Sequence, residues 1–124
     1  MKRLLPVAVL ALALSACASQ PPQATAAFCD TYEQSWSAFV EARDVPGRDN
    51  ATYVAQRQEL WDTWSTLADD ETVSEDTRET VAGNLKSFRK AVGGDVDEQL
   101  AFQQGHQDIA DRCSDAGAPI VLAE

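Results

Sequence analysis

From Phe28 to Asp44 the apolar residues recur at helical spacing. At about 100° per residue, Phe28, Cys29, Tyr32, Trp36, Phe39 and Val40 share an arc of about 120°, and Glu33, Glu41 and Asp44 fall outside it. Val45-Pro46-Gly47 ends this first predicted helix. Asp49 or Asn50 can cap a second, which reaches Ala68 with a stripe of Tyr53, Leu60, Trp61, Trp64 and Leu67, and Arg57 lies inside the same arc. Thr72-Val73-Ser74-Glu75 matches a capping box and predicts a third helix, whose Val81, Leu85, Phe88 and Val92 lie within about 60° of one another. Gly93-Gly94 stops it. Asp95-Val96-Asp97-Glu98 repeats the capping signature and opens a fourth helix, to about Arg112. That helix has a broad face, with Val96 and Leu100 on one side and Phe102, Ile109 and Cys113 on the other, and Gly105 is a candidate kink.

Four helices joined by short turns predict an all-α domain over residues 28–114, a small up-down-up-down bundle. A looser pair of αα-hairpins is the alternative. No alternating run bounded by turn residues argues for strands. Residues 115–124 are expected to form a mobile tail, in which the short apolar run Ile120-Val121-Leu122 could fold back over the bundle end.

The amino end follows a different pattern. Lys2 and Arg3 precede an apolar run from Leu4 to Leu14, too short for a permanent membrane span, and Leu14-Ser15-Ala16-Cys17 follows. The tetrapeptide resembles the lipobox of bacterial lipoproteins. The resemblance covers residues 1–17 only, and it implies that residues 1–16 are a removed signal peptide and that Cys17 is acylated and becomes the first residue. Two or three acyl chains suffice for stable membrane anchoring. With Ala18 after the Cys, the family's sorting habit implies an extracytoplasmic location in the bacterial envelope, on the outer membrane in a two-membrane cell. Residues 17–27 are then the lipidated Cys and a flexible, proline-bearing tether.

Two cysteines remain, Cys29 and Cys113, near the ends of the predicted domain. An oxidising location makes their pairing the expectation, and an up-down-up-down bundle brings the start of helix one and the end of helix four to the same end. The domain is therefore expected to be closed by one disulfide. A redox or metal-thiolate role lacks a Cys-x-x-Cys or a neighbouring His pair.

Composition narrows the function classes. The chain carries 10 Lys plus Arg against 20 Asp plus Glu, a net charge of −10, and loss of Lys2 and Arg3 with the signal makes it −12. Such a chain is expected to bind no nucleic acid and no membrane through a basic patch. Leu, Ile, Val and Phe supply only 19 of the 108 residues from Cys17 onward, so a thin aliphatic core is expected.

Candidate chemistry is sparse. His106, the single histidine, stands among Phe102, Ile109 and Cys113 and is expected to be half-buried and hydrogen-bonded; its functional alternative is a metal ligand with Glu98, Asp108 or Asp111, or a pH sensor. There is no His-x-x-x-His and no Glu-x-x-His, and the acidic stretch Asp69 to Glu79 lacks the spacing of a calcium loop, so no metal and no cofactor are expected. Arg57 is expected to lay its stem over aromatic rings. Trp36, Trp61 and Trp64 fall on inward stripes, Trp61 nearest the edge. Arg57, Trp61 and His106 are the candidate contacts for a ligand or partner. With no nucleophile, base or metal set in view, the expectation is a lipid-anchored module that binds another envelope protein and is not an enzyme. The alternative is a small-ligand or ion-binding lipoprotein that uses a pocket between helices.

Overall fold

The computed structural model describes residues 23–124. The signal segment, Cys17 and residues 18–22 of the expected tether lie outside the described residues. Four helices follow one another: α1 (Gln23–Asp44), α2 (Asn50–Ala68), α3 (Glu75–Val92) and α4 (Val96–Asp115). There is no strand among the described residues.

Backbone contact runs from α1 to α2, α2 to α3 and α3 to α4, and returns, sparsely, from α4 to α1. The diagonal pairs make none. This ring of antiparallel neighbours is the expected up-down-up-down bundle. Cys29 and Cys113 are joined, with Cα atoms 5.9 Å apart, and the disulfide closes the ring at the end where α1 begins and α4 stops.

The helix ends follow local chemistry, with some shifts from expectation. The Asp49 carboxylate accepts from Thr52 N–H and Asp95 from Glu98 N–H, which caps α2 and α4 as expected. At α3 the cap is Ser74, accepting from Thr77 N–H, and not Thr72, whose backbone and hydroxyl both bond to Asp70. Asp70 holds Thr72 in an Asx turn, so the helix opens two residues later than the capping box predicts. Helix α1 begins at Gln23, so residues 23–27 are helix where a tether was expected. They are rich in Ala, the best helix former, and Ala24, Thr25 and Ala26 are half-buried.

The core is aromatic where aliphatic residues are scarce. Phe28, Tyr32, Trp36, Phe39, Trp64, Phe88 and Phe102 are all buried, with only Val40, Leu60, Leu67, Val73, Val81, Leu85 and Ile109 as aliphatic companions. An aromatic side chain buries about 150–250 Å², so few residues fill the interior. Tyr32 and Trp64 stack with centroids 4.7 Å apart and planes at 6°, and Trp36 meets Phe88 and Phe102 edge-on and tilted.

The segment after α4 departs most from expectation. Gly117 at φ +83° turns the chain back. Its N–H reaches Ser114 O at 3.0 Å and that of Ala118 reaches Cys113 O at 2.8 Å, which is the paired bonding of a Schellman cap. Residues 118–124 then run back along α1, with Ile120, Leu122 and Ala123 packed on the core and Val121 (81% exposed) turned outward between them. Of the expected tail, residues 115–124, the run Ile120-Val121-Leu122 that could fold back lies within the segment placed along α1. Asp115 belongs to α4, and the rest is a seated strap, because the cap fixes its direction and α1 supplies partners for its backbone.

Candidate functional site

The strap lies where the bundle is least closed. From Trp36 upward, α1 and α4 part around an open groove of about 640 Å³. Its aromatic lining is Trp36 and Phe39 from α1, Tyr53 from α2, Phe88 from α3 and Phe102 from α4; Leu122, Ala123 and Glu124 of the strap form one wall. Gln99, Gln103 and Gln107 come from α4, one turn apart, and line the same groove. Beside it Val92, Val96 and Leu100 are exposed, the last two at 73% and 57%. An apolar rim therefore continues the groove around the α3–α4 turn, at the end of the bundle opposite the disulfide.

His106 stands between this groove and the core. The Asn84 amide donates to the Tyr32 phenol oxygen at 3.2 Å, and that oxygen lies 2.7 Å from His106 Nδ1. A phenol that accepts from Asn84 has its own proton free for Nδ1, which leaves the imidazole proton on Nε2. Burial pushes Tyr32 well above its usual range and pushes His106 down to about 4, so both are neutral near pH 7. His106 Nε2 has no hydrogen-bond partner among the described residues. Its ring packs against Trp36 and Phe102, with centroids 4.6 Å and 5.1 Å away.

Asn84 is the one polar residue in the described core, and its side chain fills the space that a Cβ on Gly105 would need. Gly105 therefore permits a close approach of α4 to α3. Helix α4 continues through this position without interruption.

Arg57 and Trp61 lie elsewhere. On the α2/α3 side the Arg57 guanidinium sits 5.5 Å from the Tyr53 ring centre and 4.9 Å from that of Trp61. Arg48 covers Tyr53 at 4.1 Å and Arg89 covers Trp61 at 5.0 Å. These residues alternate as Arg48, Tyr53, Arg57, Trp61 and Arg89, a ladder of cations and rings. Trp61 is half-buried, while Trp36 and Trp64 are buried. The three expected contact residues are thus divided: His106 lines the groove, and Arg57 and Trp61 do not.

Sequence reasoning missed Asn84, the Tyr32 hydroxyl and the three groove glutamines. The glutamines carried a signal, since positions 99, 103 and 107 share one face of a helix. Asn84 carried a weaker one, as a polar residue beside Leu85 on the most regular stripe.

Chemically, the groove can hold an apolar or extended group and hydrogen-bond to it. Among the described residues no cluster of three or more His, Cys, Asp or Glu side chains could hold a metal ion, and no helix is long and apolar enough to cross a membrane. Comparison with family models, curated proteins and solved structures gives no match to this chain.

Proposed function

We propose that the protein is a lipid-anchored, extracytoplasmic module of the bacterial envelope that acts by binding another envelope protein, with the α1/α4 groove as its contact site. The observation that carries this reading is the groove itself, about 640 Å³ with an aromatic floor and an exposed apolar rim at Val92, Val96 and Leu100. Apolar surface gathered in one place and edged by polar groups is what a protein interface requires. The direction of the molecule fits. Helix α1 starts with Gln23 at the disulfide end and, at 22 residues, spans about 33 Å, so an anchor joined ahead of α1 is joined at the end of the bundle away from the rim.

The test is a photo-crosslinking residue at Gln103, in the groove, and another at Gln58, on the exposed face of α2, each in full-length protein in its own envelope. One dominant adduct from Gln103 and none from Gln58 is the expected result. Equal labelling from both positions overturns the reading. Replacement of Cys17 by Ser is expected to abolish metabolic palmitate labelling and membrane fractionation.

A second reading is favoured by one observation: the three glutamines and His106 set polar groups into an apolar groove of the size that takes small molecules. A small ligand would raise the melting temperature at saturating concentration.

A further inference from the structure

The strap is bound as a peptide is bound. Its contacts to α1 fall on the main chain: Val121 N–H donates to the Glu33 carboxylate, Trp36 Nε1–H donates to Ala123 O at 2.7 Å, and Arg43 Nη2 donates to Glu124 O at 3.0 Å. Side chains that hold a backbone do so whatever sequence that backbone carries. Selectivity comes from alternation, with Ile120 and Leu122 turned to the core and Val121 turned to solvent. The seat is therefore built for an extended chain with apolar residues at every second position.

The strap also holds its place weakly compared with the helices. Ile120, Leu122 and Ala123 are only half-buried, two of the three main-chain bonds are exposed, and no regular secondary structure ties the segment to the bundle. Segments with few buried contacts and exposed hydrogen bonds open at low free energy while the rest stays folded. The Schellman turn at Gly117 remains as the hinge, and the disulfide holds the bundle below it.

We propose that residues 118–124 occupy a seat on α1, at the wall of the α1/α4 groove, as an internal stand-in for an extended, alternately apolar segment of the partner protein, which binds by displacing them. The inference rests on the binding-module reading and names its partner chemistry: an unfolded or extended stretch with two apolar residues two positions apart, and not a preformed helix. Its regulation follows, because affinity for the partner is lowered by the fraction of time the strap is seated.

The test uses the full chain and a version with the strap released by Ile120→Asp and Leu122→Asp, titrated with a synthetic peptide of residues 116–124. Binding is read by titration calorimetry and, in chains that keep Trp36, also from its indole N–H resonance, which reports the bond to Ala123. The released chain is expected to bind the peptide about tenfold or more tightly than the wild type, and to lose that binding when Trp36 becomes Phe. Equal affinity of the two chains, or no binding to a released chain that retains its helical signal, overturns the proposal. Should the double substitution unfold the protein, a chain ending at Gly117 serves in its place, since the removed residues lie outside the four helices. The peptide titration needs no envelope partner, so its failure is separate from failure of the Gln103 crosslink. A wild-type chain that crosslinks its partner as well as the released chain does would also overturn the strap inference while leaving the binding module in place.

Discussion

Helix α4 has two unlike flanks. Toward α3 it packs so closely that any side chain at Gly105 would overlap Asn84, and toward α1 it leaves a groove of about 640 Å³ beside a strap of extended chain. A glycine and a buried amide let the first pair of backbones approach. On the second flank Trp36, Phe39 and Phe102 line the groove, and the disulfide fixes the spacing at one end only. The closed flank gives the domain its rigidity. The open flank gives it a place to bind, and the cost of that opening falls on a single covalent bond and a loosely held segment.

The contrast can be broken most severely at that bond. Replacing Cys29 and Cys113 by Ala removes a crosslink spanning 84 residues and is expected to cost about 4 kcal/mol, measured by urea unfolding, with amides of α1 losing exchange protection before those of α3. Loss of protection that is uniform across the helices would mean that the two flanks are equally strong.

Acid probes the residue between the flanks. Native His106 titrates near 4 and the unfolded side chain near 6.5. Between those values the unfolded chain takes up a proton that the buried imidazole does not. Stability from this source is complete above pH 6.5 and falls as pH drops toward 4, by roughly 3 kcal/mol in all. Replacing His106 by Gln is expected to flatten that part of the stability-against-pH curve.

The closed flank is tested at Gly105. Alanine should favour a helix by about 1 kcal/mol, yet Gly105→Ala is expected to destabilise by about 2 kcal/mol net and lower the melting temperature by about 10 °C. Adding Asn84→Ala should recover most of the loss. The smallest effect is expected away from both flanks. Arg57→Ala removes one rung of the ladder with Tyr53 and Trp61 and should cost about 0.5–1 kcal/mol, with a shift in Trp61 emission.

The architecture was legible because it depends on periodicity. The stripes of α1 and α3 name most of the core, and the pairing of Cys29 with Cys113 agrees with the helix parity that puts both at one end. The site was legible only in part. His106 was expected half-buried and hydrogen-bonded, and it is, but its partner Tyr32 lies 74 residues away on another helix, a distance no local pattern encodes. Arg57 does lie over rings, yet it does not line the groove with His106, because sequence spacing gives the face of a helix and not which neighbour covers it. The strap did have a signal. Gly117 followed by Pro119 after a helical run is the mark of a Schellman stop, and it directs the chain backward. Ile120 and Leu122 alternate about an exposed Val121, a period of two in a segment too short to form a sheet.

The disulfide also sets a path for mechanical load. The first turns of α1 and the last turn of α4 lie at the same end of the bundle, and the crosslink joins them directly. A pull between the segment preceding α1 and a strap drawn out by a partner passes from one sulfur to the other through two adjacent helix ends. The turns between α1 and α2, α2 and α3, and α3 and α4 carry no tension, so the four-helix body behaves as a pendant on a short covalent tie and stays folded at forces that would unzip an uncrosslinked bundle.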